Sequence, residues 1–310
     1  MTAVRAWLPD GRLHLQHGPM DLLVAAEGAP AALAEAHAAA WARFAPLLDA
    51  LVAELPALRR DVGGGPCPLR GEVAASMWRA CAPLRAHGYL TPMAAVAGAV
   101  AQHVADCYRR PGIRRAWVNN GGDIALHLAP GESARIGLYA DLARFDPAEA
   151  QAAGGLRTDA RFAVHAAQPV RGVATSGWRG RSFSRGIADS VTVLARTAAE
   201  ADAAATVVAN AVDADDPRIL RRPARALRDD SDLGDIPVTV DVPTLGADAV
   251  DAALRAGLRT ARRLQAAGRI HAAALVCQGR MLRLPPQGLR AGAAGMPAMP
   301  AADSIGSVFA

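Results

Sequence analysis

Apolar and polar positions change period several times along the chain, and the changes mark its elements. Residues 4–8, 13–16 and 20–26 alternate, separated by Pro9-Asp10-Gly11 and His17-Gly18-Pro19, which predicts a short antiparallel meander. From 30 to 58 apolar side chains recur at helical spacing (Leu33, Ala36, Ala40, Phe44, Leu47, Leu51, Leu55), predicting one long amphipathic helix. Residues 72–85 predict a second helix closed by Gly88. A third starts at Thr91-Pro92, threonine as N-cap and proline in the first turn, and runs to about residue 108. Its face is small (Ala94, Ala95, Ala97, Gly98, Ala99), suited either to tight packing or to a ligand approaching the backbone.

After Gly112 the texture becomes strand-like at 115–118, 123–128, 134–139, 161–165, 172–175 and 190–195, a spacing that predicts a largely antiparallel sheet. Thr197-Ala198-Ala199-Glu200 reads as a capping box ahead of a helix to about residue 212. Residues 215–234 are charged and proline-punctuated, an expected exposed connection. A strand at 238–242, a helix at 247–267 and a hairpin of 270–277 with 281–284 follow. The stretch 286–310 has no periodicity and is expected to be a disordered tail. Strands and helices come in blocks, so the fold class is α+β: a mainly antiparallel sheet with packed helices, in one domain over 1–285 or two intimate subdomains.

Composition changes the picture in one respect. All 34 basic side chains are arginine, so a Schiff-base lysine, a P-loop lysine or a desolvated lysine base is excluded. Alanine, 74 of 310 residues, fits a GC-rich coding bias. The net charge of +5 raises nucleic acid as a partner, but the arginines are interleaved with acids and aromatics are only 4%, too few for a stacking platform. Neither nucleic acid nor membrane is an expected partner: the longest apolar stretch, 93–101, is about half a bilayer span. Cys67, Cys81, Cys107 and Cys277 form no CxxC and read as reduced thiols. With no apolar leader segment at the N-terminus, the expected location is cytoplasmic.

Three segments carry candidate chemistry. Asn119, Asn120, Gly121, Gly122 and Asp123 follow a strand; they make either a hairpin turn or a bare-backbone ligand contact with amide and carboxylate groups beside it. Thr175, Ser176 and Gly177 end another strand, with Arg179, Arg181 and Arg185 close behind, either a solvated polar loop or a cradle for a diphosphate. Asp202 and Thr206 stand at i and i+4 on one helix face, an exposed polar pair or two oxygen ligands for a hard cation.

In this order the segments resemble the ApbE-type FAD:protein FMN transferase superfamily, and more closely an uncharacterised branch of it. The shared motifs are the Asn-Gly-Gly-Asp turn at 118–123, the Thr-Ser-Gly at 175–177, the Ser-Val-Thr-Val strand at 190–193 and Ala-Asp-Ala-x-Ala-Thr at 201–206. The resemblance spans about 93–211 and implies an ApbE-like fold, with magnesium held by Asp202, Thr206 and a backbone oxygen near 92–98. It also implies FAD or a related nucleotide contacted by Asn119 to Asp123, Thr175 to Gly177 and Arg181, and an acceptor flavoprotein as partner. A homo-oligomer is compatible with it. The departures concern chemistry: the family's lysine segment and its Asp-Pro-Arg-Thr-Gly are absent, the latter compressed here to residues 182–189, where Asp189 is the candidate base. FMN transfer from FAD, ligand binding or sensing without catalysis, and a structural or assembly role therefore all remain open.

Overall fold

The structure, a computed structural model, describes residues 2–138 and 160–287. The opening meander forms as β1 (Val4–Trp7), β2 (Leu13–His17) and β3 (Met20–Gly28). The predicted long helix is instead three: α1 (Pro30–Phe44), α2 (Leu47–Ala53) and α3 (Leu55–Leu58). Pro46 and Pro56 interrupt the ladder, since proline has no N–H to donate and its ring clashes with the preceding turn. Next come α4 (Glu72–Cys81), continued by a 3₁₀ turn to a left-handed Gly88, and α5 (Val96–Ala105), preceded by a 3₁₀ turn at Pro92–Ala95. Thr91 does not cap this helix, because its hydroxyl donates to the Asp232 carboxylate instead.

The strands β4 (Ile113–Asn120), β5 (Asp123–Leu128), β6 (Ser133–Leu138), β7 (Ala160–His165), β8 (Gly172–Ser176) and β9 (Ser190–Ala195) match the predicted spacing. Residue 139, predicted as the end of one of them, lies outside the described residues. The capped helix is α6 (Ala198–Ala211), and the Glu200 amide donates to Thr197 Oγ1 at 3.2 Å. The connection expected to be exposed is mostly so, and it carries two short elements: β10 (Leu220–Pro223) and α7 (Ala224–Leu227) lead to β11 (Pro237–Asp241), which pairs antiparallel with β10. The chain closes with α8 (Ala247–Ala266), β12 (Ala272–Cys277) and β13 (Arg280–Leu284). The expected tail lies outside the described residues from position 288.

Nine strands form one antiparallel sheet in the order β1-β2-β3-β4-β5-β8-β9-β12-β13. Because side chains alternate across a strand, its faces bury different sets. Ala116 and Val118 of β4, Ala174 of β8, Val191 and Val193 of β9 and Leu275 of β12 join the helices in the larger core. Leu126, Leu128, Val173 and Leu194 face the opposite way, under the β6–β7 ribbon with Ala134, Ile136 and Val164. On the helix face α5 lies over β4 and β5, and α6 over β8 and β9. Those two helices touch where Gly98 meets the first turn of α6: a β-carbon there would stand 2.2 Å from the Ala198 carbonyl oxygen, so only glycine allows the approach. The fold is thus α+β, with the ends of β4, β5 and β8 and the first turns of α5 and α6 brought to one place.

Candidate functional site

The Asn-Gly-Gly-Asp segment is the two-residue hairpin joining β4 and β5, with Asn120 paired to Asp123. Gly121 and Gly122 take φ of 64° and 109°, left-handed values that make glycine the residue for both turn positions. The flanking side chains are locked. Asn119 Oδ1 accepts from the Gly122 amide at 2.8 Å, and Asn120 Nδ2 donates to the Ala97 carbonyl at 3.2 Å, tying the turn to the start of α5. Buried Asn119 Nδ2 has no hydrogen-bond partner among the described residues, a donor left over at the turn.

Asp123 points to the helix face, near enough to Asp202 for the two charges to interact. Asp123 Oδ1 accepts from the Thr175 amide at 3.1 Å; Asp202 Oδ2 accepts from the Gly98 amide at 2.9 Å. Burial pushes the Asp202 carboxyl up to about 7, against the pull of the Gly98 and Ala97 amides. Asp123 is shifted well upward too, by burial and then by the Asp202 charge, with the Thr175 amide and Arg181 opposing. Among the described residues neither acid forms an ion pair, and Arg181 is the cation whose charge reaches Asp123. Cys81 lies near the same charge, its thiol raised by burial and by Asp202.

The remaining predicted residues fall around this pair. Thr206 lies on α6 one turn beyond Asp202, and Asn210 one turn further; these three are half-buried on a helix otherwise almost wholly buried, a polar stripe on its open side. Ser176 shares the helix face of the sheet, whereas the Thr175 hydroxyl is on the other face, 2.8 Å from Thr192 Oγ1. The Arg181 guanidinium lies over Gly121, where a β-carbon would meet Nη2 at 2.0 Å. Gly177 packs on the backbone of Asp189, with a would-be β-carbon 2.3 Å from its carbonyl oxygen. The Asp189 side chain is already engaged: Oδ2 accepts from the Gln278 amide at 2.5 Å and Oδ1 faces Arg179 Nε at 3.6 Å.

Two contributors went unpredicted. Asn210 was signalled by the same i, i+4 step that links Asp202 to Thr206, carried one turn on. Gln278 has no such signal; its φ of 45° in the β12–β13 turn aims its amide at Asp189. Among the described residues no three His, Cys, Asp or Glu side chains form a metal-holding group. The donors here are two carboxylates, with the Thr206 hydroxyl one turn further along α6, all of them oxygens. They suit magnesium, a hard cation that takes one or two carboxylates and completes its shell with phosphate and water.

Among the described residues no helix is long and apolar enough to cross a membrane. Among curated relatives, the UPF0280 protein of Methanopyrus kandleri is 35% identical over 190 residues, covering 59% of this chain and 67% of the relative. That of Methanoculleus marisnigri is 37% identical over 151 residues, covering 48% of this chain and 54% of the relative, so the chain spans about half of that protein's length. Among solved structures, the apo flavinyl transferase ApbE of Pseudomonas stutzeri aligns with 92% of this chain and 94% of its own at 14% identity and a TM-score of 0.42. The ApbE protein of Thermotoga maritima aligns with 91% and 96% at 13% identity and a TM-score of 0.36. The family model described as AbpE bacteria matches residues 5–283, from β1 into β13 and through every segment of the site. The chain belongs to this family.

Proposed function

We propose that this chain binds FAD or a related flavin nucleotide together with magnesium, and that its activity is transfer of FMN from FAD to an acceptor protein. The observation that carries the reading is the pairing of buried Asp123 with half-buried Asp202, two carboxylates whose charges interact and which have no ion-pair partner among the described residues, beside a helix stripe that adds Thr206. Charges buried together are costly unless a cation joins them. Asp202 and Thr206 would hold the metal, with Asp123 close by. Bound magnesium would neutralise the diphosphate and polarise the bond to be broken. The chain's own groups would orient the ligand: the backbone of the Gly121-Gly122 turn, the spare Asn119 amide donor, Ser176 and Arg181.

A second reading, binding or sensing without transfer, is favoured by Asp189. A general base must be within reach of the acceptor hydroxyl, and this carboxylate is committed to the Gln278 amide and Arg179. Incubation with FAD, magnesium and candidate acceptors, following AMP release and flavin bound to protein, separates the two. AMP release above a no-protein control that stops on Asp202→Ala supports transfer. Stabilisation by FAD in a thermal melt without AMP release supports binding alone. If neither FAD, FMN nor ADP stabilises the protein with magnesium present, both readings fail.

A further inference from the structure

The three arginines at 179, 181 and 185 are not equivalent. Arg179 stacks on the Trp178 ring at 4.9 Å and faces Asp189, while Arg181 covers Gly121 beside Asp123; both are exposed. Arg185 is half-buried and has no carboxylate within 4 Å among the described residues. Its charge reaches Asp213, but that acid is already paired with Arg221 at 2.5 Å.

The backbone around Arg185 is bracketed onto the end of α6. Its amide donates to Asn210 Oδ1 at 2.8 Å, and Ser184 Oγ donates to the same oxygen at 3.4 Å. The Gly186 amide donates to Ser184 Oγ at 3.3 Å, the Ile187 amide to the Val212 carbonyl at 2.8 Å, and the Thr239 amide to the Ser184 carbonyl at 2.8 Å. From this bracket the side chain crosses to the loop before α5, where Nη1 lies 3.5 Å from the place of a β-carbon on Gly88. A guanidinium partly removed from water, anchored at its root and lacking a carboxylate, calls for an anion. Its planar fork of donors matches phosphate oxygens.

We propose that Arg185 binds a phosphate group of the ligand at the Asn210 end of the α6 stripe, and that Asn210 is the residue that positions it. The inference rests on the reading of this cleft as a nucleotide site. It places the anchored Arg185 backbone one turn beyond Thr206, about 6 Å along the helix for four residues at 1.5 Å each, within an arginine side chain's length of the diphosphate that the metal would hold. Asn210 then belongs to the site without touching ligand, because its side-chain oxygen holds the Arg185 amide. The compressed segment 182–189 thereby supplies a fixed cation in a chain without lysine.

The test is equilibrium binding of FAD, riboflavin, ADP, adenosine and inorganic pyrophosphate to the full chain with magnesium present, for the unaltered protein, Arg185→Ala, Arg185→Gln and Asn210→Ala. Arg185→Gln keeps the aliphatic stem and a hydrogen-bonding end without the charge, so it carries the test if the alanine variant unfolds. The expected result is a loss of about tenfold or more for FAD, ADP and pyrophosphate in both Arg185 variants, with riboflavin and adenosine unchanged. Asn210→Ala should show a smaller loss confined to the same three probes. An FAD-to-riboflavin preference that survives both Arg185 variants overturns the inference while leaving the flavin reading in place. Pyrophosphate and ADP binding that depends on Arg185, with no flavin binding, upholds the inference and removes the flavin reading. No binding of any phosphate-bearing probe by the unaltered protein overturns both.

Discussion

The side chain of Asp202 caps a helix to which it does not belong: its Oδ2 accepts from the Gly98 amide at 2.9 Å, in the first turn of α5. That helix has Ala95 at its N-cap and no side-chain cap of its own. Asp202 supplies the missing acceptor from 104 residues away, and the positive end of the α5 dipole favours its charge. Asp202→Ala should therefore cost about 1 kcal/mol through the lost cap, as well as removing a metal ligand. Asp202→Asn retains an acceptor and separates these effects: thermal unfolding should show no loss of stability, while a magnesium or manganese titration by calorimetry should lose its binding signal. Binding that persists in both variants would contradict the role given to Asp202.

The same carboxyl sets a slope of stability with pH. Its value in the folded protein is about 7 against an ordinary 3.8, so the folded protein holds this proton more tightly than the unfolded chain. Asp202 therefore lowers stability as pH rises through that window, and the cost is fully present above about 7. Without added metal, the melting temperature of Asp202→Asn minus that of the unaltered protein should grow from pH 5 to pH 8. A flat difference across that range would show that the carboxyl is not raised.

Gly98 permits the whole arrangement. Gly98→Ala places a methyl group 2.2 Å from the backbone oxygen of Ala198, which has no side-chain freedom to yield, so α5 must shift from α6. The expected cost is about 1–3 kcal/mol or more, large for an alanine introduced into a helix. Divalent-ion affinity should fall with it, since the Gly98 amide moves away from Asp202. Chemical denaturation measures the first effect and metal titration the second.

Part of this was legible from the sequence. Asn-Gly before Asp123 is a local signal for a hairpin, and Thr197 with Glu200 announced the helix that presents Asp202 and Thr206. The family motifs joined the segments because they lie in register along the chain. What stayed hidden is tertiary. No local rule says that Asp202 caps α5, that Thr91 forgoes its own helix to bond Asp232, or that Gln278 aims its amide at Asp189. The β10–β11 ribbon escaped notice because β10 is four residues, Leu-Arg-Arg-Pro, with neither alternation nor a tight turn to its partner. The break at Pro46 was available in the sequence, and helical periodicity masked it because both sides of the break pack on the same core.

Far from the cleft, His37 Nδ1 lies 2.7 Å from the hydroxyl of the fully buried Tyr108, with Trp7 edge-on to the imidazole at 4.9 Å. Burial lowers the histidine below its ordinary 6.5, so the unfolded chain takes up its proton first. The stabilising contribution is present above 6.5 and is lost as pH falls below it. His37→Gln keeps a hydrogen-bonding group near the phenol and does not titrate. The unaltered protein should therefore lose stability relative to this variant between pH 7 and pH 5.5, as read by thermal melts, the opposite sense to the Asp202 slope. Tyr108→Phe should cost about 1 kcal/mol at pH 7.5.

Arg181 and a divalent cation make opposite demands on the same acid. The guanidinium over Gly121 pulls the Asp123 carboxyl down against burial and the Asp202 charge, and so supplies part of the neutralisation that a metal would otherwise provide. Removing it with Arg181→Ala should strengthen binding of magnesium alone, by a few-fold for an exposed side chain, and weaken binding of a nucleotide whose phosphates it would meet. Gly121→Ala reaches the same state by displacement, because a β-carbon there would stand 2.0 Å from Nη2 and the guanidinium is free to swing into solvent. That variant should also lose about 1–2 kcal/mol for placing alanine at φ of 64°. Parallel titrations with magnesium and with ADP separate this competition from simple damage to the site: damage lowers both affinities, whereas competition at Asp123 raises one and lowers the other.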